Sequence, residues 1–100
     1  MSINAQIKET YAKEFEKIGS EKFFESVLSS AKKSIKNKDL STEIIIIDQA
    51  DSFFALYRKT GNENYSEIAK ILRKVAHKIY RIKKAQNSEM PTNRRFLDLV

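Results

Sequence analysis

Glycine occurs at only two positions of this chain, 19 and 61, and proline at one, 91. A sheet of many strands needs frequent tight turns, and those turns draw on glycine, so this supply argues against a β architecture. The breakers instead mark out long segments. They fall at Gly19-Ser20, around residues 37–41, at Gly61-Asn62, and across residues 87–91. The spacing predicts four helices, at about 3–18, 21–37, 42–60 and 65–86. Ser2 is placed to cap the first, Gly19 to stop it and Ser20 to cap the second. Gly61 closes the third, and Asn64 with Glu67 three residues on has the form of a capping box for the fourth. With short connections, the expected fold is all-α: a compact four-helix, up-down bundle-like single domain over residues 1–90. A short apolar C-terminal segment follows at 91–100, and Phe96, Leu97 and Leu99 make it a candidate to dock rather than float.

Each segment carries an apolar stripe at helical spacing. In the first it is Ile3, Ile7, Tyr11, Phe15 and Ile18; in the second, Phe23, Phe24, Val27, Leu28, Ala31 and Ile35. The third is less regular. Ile46, Ile47, Ala50, Phe53, Phe54 and Tyr57 share one face, while Ile44, Ile45 and Leu56 fall outside it. Four consecutive β-branched residues, Ile44 to Ile47, also suit a buried strand. A lone strand would leave its backbone donors and acceptors unpaired, so a helix is expected. Its apolar first turn suggests a central helix or a contact with a second subunit.

Charge is concentrated in the fourth segment. The whole chain has a net charge of +6, and residues 65–86 account for all of it. They hold Lys70, Arg73, Lys74, Lys78, Arg81, Lys83 and Lys84 against the single acid Glu67, whereas the remaining residues balance 12 basic and 12 acidic groups. On a helical wheel Ile68, Ile71, Leu72, Val75, Ile79 and Ile82 form one face, and Lys70, Arg73, Lys74, His77, Arg81 and Lys84 the other. A stripe with almost no interleaved acid suits a polyanion, because Lys and Arg neutralise phosphates and release their counterions. Tyr80, between the two faces, is positioned to stack on a base or to cap the core edge. Lys32, Lys33, Lys36 and Lys38 end the second helix, where cations complement the macrodipole.

Within the fourth helix, Glu67-Ile68-Ala69-Lys70-Ile71-Leu72 followed by Ile79-Tyr80-Arg81-Ile82 resembles part of the helix-turn-helix DNA-binding pattern. The likeness covers about 16 residues, and Arg73-Lys74-Val75 stands where that family places its turn, so one unbroken helix is expected. Ala50 to Arg58 before Gly61, with Tyr65 after it, is similar to a single tetratricopeptide hairpin. Neither resemblance implies particular site residues.

Local signatures of enzyme chemistry are few. The one histidine, His77, falls in the basic stripe, where neighbouring cations disfavour its charged form. Asp48 and Asp51 are one turn apart and suit a solvated edge or pairing with a neighbouring helix better than a metal. The chain has no cysteine, which removes disulfides and thiolate chemistry. No Gly-rich phosphate loop or nucleotide fingerprint is present, so no metal and no cofactor are expected. The composition and the absence of a visible signal sequence suggest an intracellular, cytoplasmic protein.

The expected function is that of a non-enzymatic binding protein. Lys70, Arg73, Lys74, His77, Lys78, Arg81 and Lys84 would engage nucleic acid or another polyanion through its phosphates. The alternative is a protein-protein interaction module, an adaptor or regulatory subunit, binding an acidic protein or forming a homodimer. It would use Ile44, Ile45, Leu56, Phe96, Leu97 and Leu99. A membrane surface is disfavoured, since the apolar face of the basic helix is committed to the core.

Overall fold

The computed structural model describes the backbone of residues 3–86 and the side chains of residues 6–86. The expected Ser2 cap and the segment 91–100, with Phe96, Leu97 and Leu99, lie outside the described residues. Those described are all-helical, with no strand among them: α1 spans Ile3–Ala31, α2 Ser41–Thr60 and α3 Glu63–Gln86, with a 3-10 turn at Lys32–Ser34. Three helical elements are thus described where four were expected, the first of them two helical arms joined across a kink.

The reason lies at Gly19. The two segments expected to be separate helices run together as α1, and Gly19 sits inside it with φ 82° and ψ 174°, far from helical values. Glycine, lacking a Cβ, reaches this region at little cost, whereas other residues essentially do not. The bend is sharp. The Ser26 hydroxyl donates to the Glu14 carboxylate, although 12 residues of straight helix would hold their backbones about 18 Å apart. Phe23 meets Tyr11 and Phe15 edge-on, each with ring centroids 5.7 Å apart. Such perpendicular aromatic pairs add about 0.5–1.5 kcal/mol beyond the area they bury. The stripes of residues 3–18 and 20–31 thus face each other across the bend.

α1 also ends earlier than the expected limit of residue 37. Past Ala31 the chain tightens into the 3-10 turn, where the Ser34 hydroxyl donates to the Ala31 carbonyl at 2.7 Å. Five residues after Ser34, Asp39 organises the entry to α2. Its carboxylate accepts from the Ser41 hydroxyl at 2.7 Å and from the Ser41 backbone N–H at 3.2 Å. These two bonds, the hydroxyl first, hold the Asp39 carboxyl below its ordinary range; Lys83 adds to the effect and burial opposes it.

Only Gly61 and Asn62 separate α2 from α3. Gly61 takes the left-handed conformation, φ 73° and ψ 7°, and its N–H closes α2 on the Tyr57 carbonyl at 2.7 Å. The next helix is capped by Asn62 and not, as expected, by Asn64: the Asn62 side-chain oxygen accepts the Asn64 N–H at 3.0 Å. Starting two residues earlier, α3 brings Glu63 into its first turn, where an acid suits the positive end of the dipole.

The Ile44–Ile47 run is helical. Ile46, Ile47, Ala50 and Phe53 are buried, while Ile44 and Ile45 are exposed. The central helix is not α2, as its apolar first turn suggested, but α3. It packs against both α1 and α2, which meet each other only sparsely. Fully buried on α3 are Ile68, Ala69, Leu72, Val75, Ala76, Ile79 and Tyr80.

The two glycines should respond differently to substitution. A Cβ would meet nothing at either site, so strain comes from the backbone alone. Gly61→Asn should cost less than about 1 kcal/mol, since Asn tolerates the left-handed region. Gly19→Asn should cost about 1–3 kcal/mol, a drop of at least ~4 °C in Tm for a domain of this size. Thermal unfolding of the two variants checks the order.

Candidate anion-binding ridge

α3 runs unbroken through Arg73-Lys74-Val75, so its side chains can be placed on one wheel. With Lys70 at 0° and 100° per residue, the buried residues from Ser66 to Lys83 sweep from about 100° to about 340°. Exposed Lys70, Lys74, Lys78 and Arg81 occupy the remaining arc, from 0° to about 80°. The expected broad basic face is therefore a narrow ridge. From Lys70 to Arg81 it extends about 16 Å, with successive cations about 4.5–6 Å apart along the axis. Glu67, also exposed, lies one turn before it, and no acid of α3 falls between Lys70 and Arg81.

The other cations of α3 are placed differently. Arg73 lies on the flank toward α2. Its guanidinium contacts the Asp51 carboxylate at 3.1 Å and sits 4.6 Å from the centre of the Phe54 ring. Asp51 thus pairs with a neighbouring helix, one of the roles expected for the Asp48/Asp51 edge. Both partners remain about half exposed, so the pair contributes no more than about 1 kcal/mol. It nonetheless occupies Arg73 and gives it an acid neighbour that a polyanion would have to displace. Lys84 lies on the same flank, half-buried.

His77 does not belong to the exposed stripe. It is buried between α3 and its neighbours, at 8% exposure. Tyr80 is completely buried, which removes it as a stacking platform for a base and makes it a core residue. In both cases α3 is covered over a wider arc than its apolar residues alone define.

Lys83 provides the largest revision. Counted in the sequence among the cations of the basic helix, it is 1% exposed. Its Nζ donates to Glu43 Oε1 at 2.7 Å and to the Asp39 carbonyl at 3.1 Å. Glu43, in the first turn of α2, is fully buried. The pair joins the end of α3 to the start of α2, and with Arg73–Asp51 it shows that the two helices run antiparallel. Sequence reasoning missed Glu43, although a signal was present. Glu43 continues the stripe of Ile46, Ile47 and Ala50 by one turn, as Lys83 continues that of Leu72, Ala76, Ile79 and Tyr80. An acid and a base each closing an apolar stripe mark a buried ion pair.

Lys83 leaves α3 about 180° from the ridge. Asp39, and Lys36 and Lys38 beside it in sequence, therefore sit across the helix from Lys70, Lys74, Lys78 and Arg81. The lysines after α1 remain exposed but do not continue the ridge. Of the residues expected to form an apolar interface, Ile44 and Ile45 are exposed, at 39% and 53%, whereas Leu56 packs partly against the core.

No group of three or more metal-ligating His, Cys, Asp or Glu side chains occurs among the described residues, and no described helix is long and apolar enough to cross a membrane. Compared with protein-family models, curated proteins and solved structures, the chain matches none.

The buried pair makes a double-mutant test possible. Lys83→Met leaves the Glu43 carboxylate buried without its counter-charge and should cost about 3–5 kcal/mol. Adding Glu43→Leu removes the stranded charge, and the double variant should recover most of that loss in urea unfolding.

Proposed function

We propose that the protein is a non-enzymatic module that binds a polyanion, nucleic acid in the first place, along the α3 ridge. Four exposed cations, Lys70, Lys74, Lys78 and Arg81, on a well-buried helix support this reading. Cations at near-regular spacing suit a chain of phosphates, and the core behind the helix leaves little backbone order to be gained on binding. With Tyr80 buried, the ridge offers phosphate contacts without an aromatic platform, so binding should depend weakly on base sequence.

A second reading, a protein-protein module, draws on exposed Ile44 and Ile45. Self-association in sedimentation that Ile45→Glu abolishes would favour it over the ridge.

Four phosphate contacts set a definite salt dependence. Log affinity against log salt concentration should have a slope of about −3.6 for mixed-sequence duplex DNA and about −2.8 for the single strand. That is shallower than the −5 to −6 or so that six cations would give on duplex. Reversing Lys70, Lys74 and Lys78 to Glu should abolish binding while leaving the helical circular dichroism unchanged. Arg73→Ala, which removes a cation already held by Asp51, should change the slope little. Failure to bind either DNA at low salt, or an unchanged affinity in the triple variant, would refute the proposal.

A further inference from the structure

Between α1 and the start of α2 lies an apolar groove of about 190 Å³, lined by Tyr11, Val27, Ala31, Thr42, Ile45 and Ile46. A cavity of about 150 Å³ already admits benzene, so the groove has room for at least one large apolar side chain. It opens where α1 and α2, each resting on α3, meet only sparsely. Ile45, on its wall, and Ile44 beside it are the large apolar residues left exposed among those described.

We propose that this groove is the docking site for the chain's own segment 91–100, occupied by Phe96, Leu97 and Leu99. Three observations favour this occupant. The Lys83–Glu43 pair, at 2.7 Å, fixes the end of α3 against the start of α2, and Ile45 is only two residues beyond Glu43. The described part of α3 reaches Gln86, less than one turn after Lys83, so the residues that follow start near the Glu43 end of α2, one helix away from the Ile45 wall. The ten residues from Gln86 to Phe96 span up to about 33–36 Å when extended, well beyond the roughly 10–12 Å width of the one helix to be rounded. Within that stretch Pro91 opposes a continuous helix.

Tethering favours the chain's own segment over the same segment of a second copy. A short linker holds its end at an effective concentration in the millimolar range, which a second molecule reaches only at comparable protein concentration. The groove is separate from the ridge, so this inference does not depend on polyanion binding.

Because the chain contains no cysteine, Val100→Cys supplies a unique site for a nitroxide spin label on the full-length protein. In the NMR spectrum the label should broaden the amide signals of Thr42, Ile45 and Ile46 and spare those around Gly61, at the opposite end of α2. Leu97→Glu with Leu99→Glu should remove the broadening without altering the rest of the spectrum. No broadening at the groove would overturn the proposal. So would broadening seen only between a labelled molecule and a separate isotope-enriched copy, which would make a second chain the occupant.

Discussion

The arrangement depends on how much of α3 is covered. A helix with one packing neighbour buries a stripe; α3, lying against α1 on one side and α2 on the other, is buried over about two-thirds of its circumference. That coverage provides the largest share of the core of this small domain, and it constrains every charged residue on the helix. Cations in the exposed arc stay hydrated. Those at its edge lie against the flanking helix, as Arg73 does with Asp51 and Phe54. The one inside, Lys83, requires a buried acid.

The Lys83–Glu43 pair is better understood as a positional device than as a source of net stability. Removing two charges from water costs several kcal/mol each, and their attraction only roughly offsets this. The pair does discriminate between registers. Sliding α3 by a turn against α2 would leave both charges buried and apart, an error far more costly than misplacing one aliphatic contact. It thereby complements the Gly61–Asn62 turn at the other end of the same helix pair. Together the two features clamp α2 and α3 from both ends, and that clamp fixes which arc of α3 stays exposed.

Much of the fold was legible because glycine and apolar periodicity act locally. Gly61 terminates α2 as read, Ile46, Ile47, Ala50 and Phe53 enter the core, and Ile44 and Ile45 stay outside it. Gly19 breaks the first helical stretch as read; the local pattern did not reveal how sharply the two arms fold against each other. The candidate site was legible only in part. A helical wheel gives the direction of the apolar face; the width of the buried arc depends on how many neighbours the helix has, which is a tertiary property. His77 was misplaced for that reason, and Tyr80, read as either a base platform or a cap on the core edge, lies wholly inside the core, at 8% and 0% exposure. Lys83 was counted in the charge of the helix but left off its basic face, and the buried acid that holds it was not foreseen. The narrow ridge of Lys70, Lys74, Lys78 and Arg81 is what remains after both effects are included.

The division of the α3 lysines into exposed and buried sets is the central claim, and side-chain reactivity tests it most directly. Brief acylation of the native protein, read out residue by residue by mass spectrometry, should modify Lys70, Lys74 and Lys78 at the rates of solvated lysines. Lys83 should be protected until the protein unfolds. Acylation of Lys83 at the same rate as its neighbours in the folded state would contradict the account, returning the charge of α3 to a broad surface face.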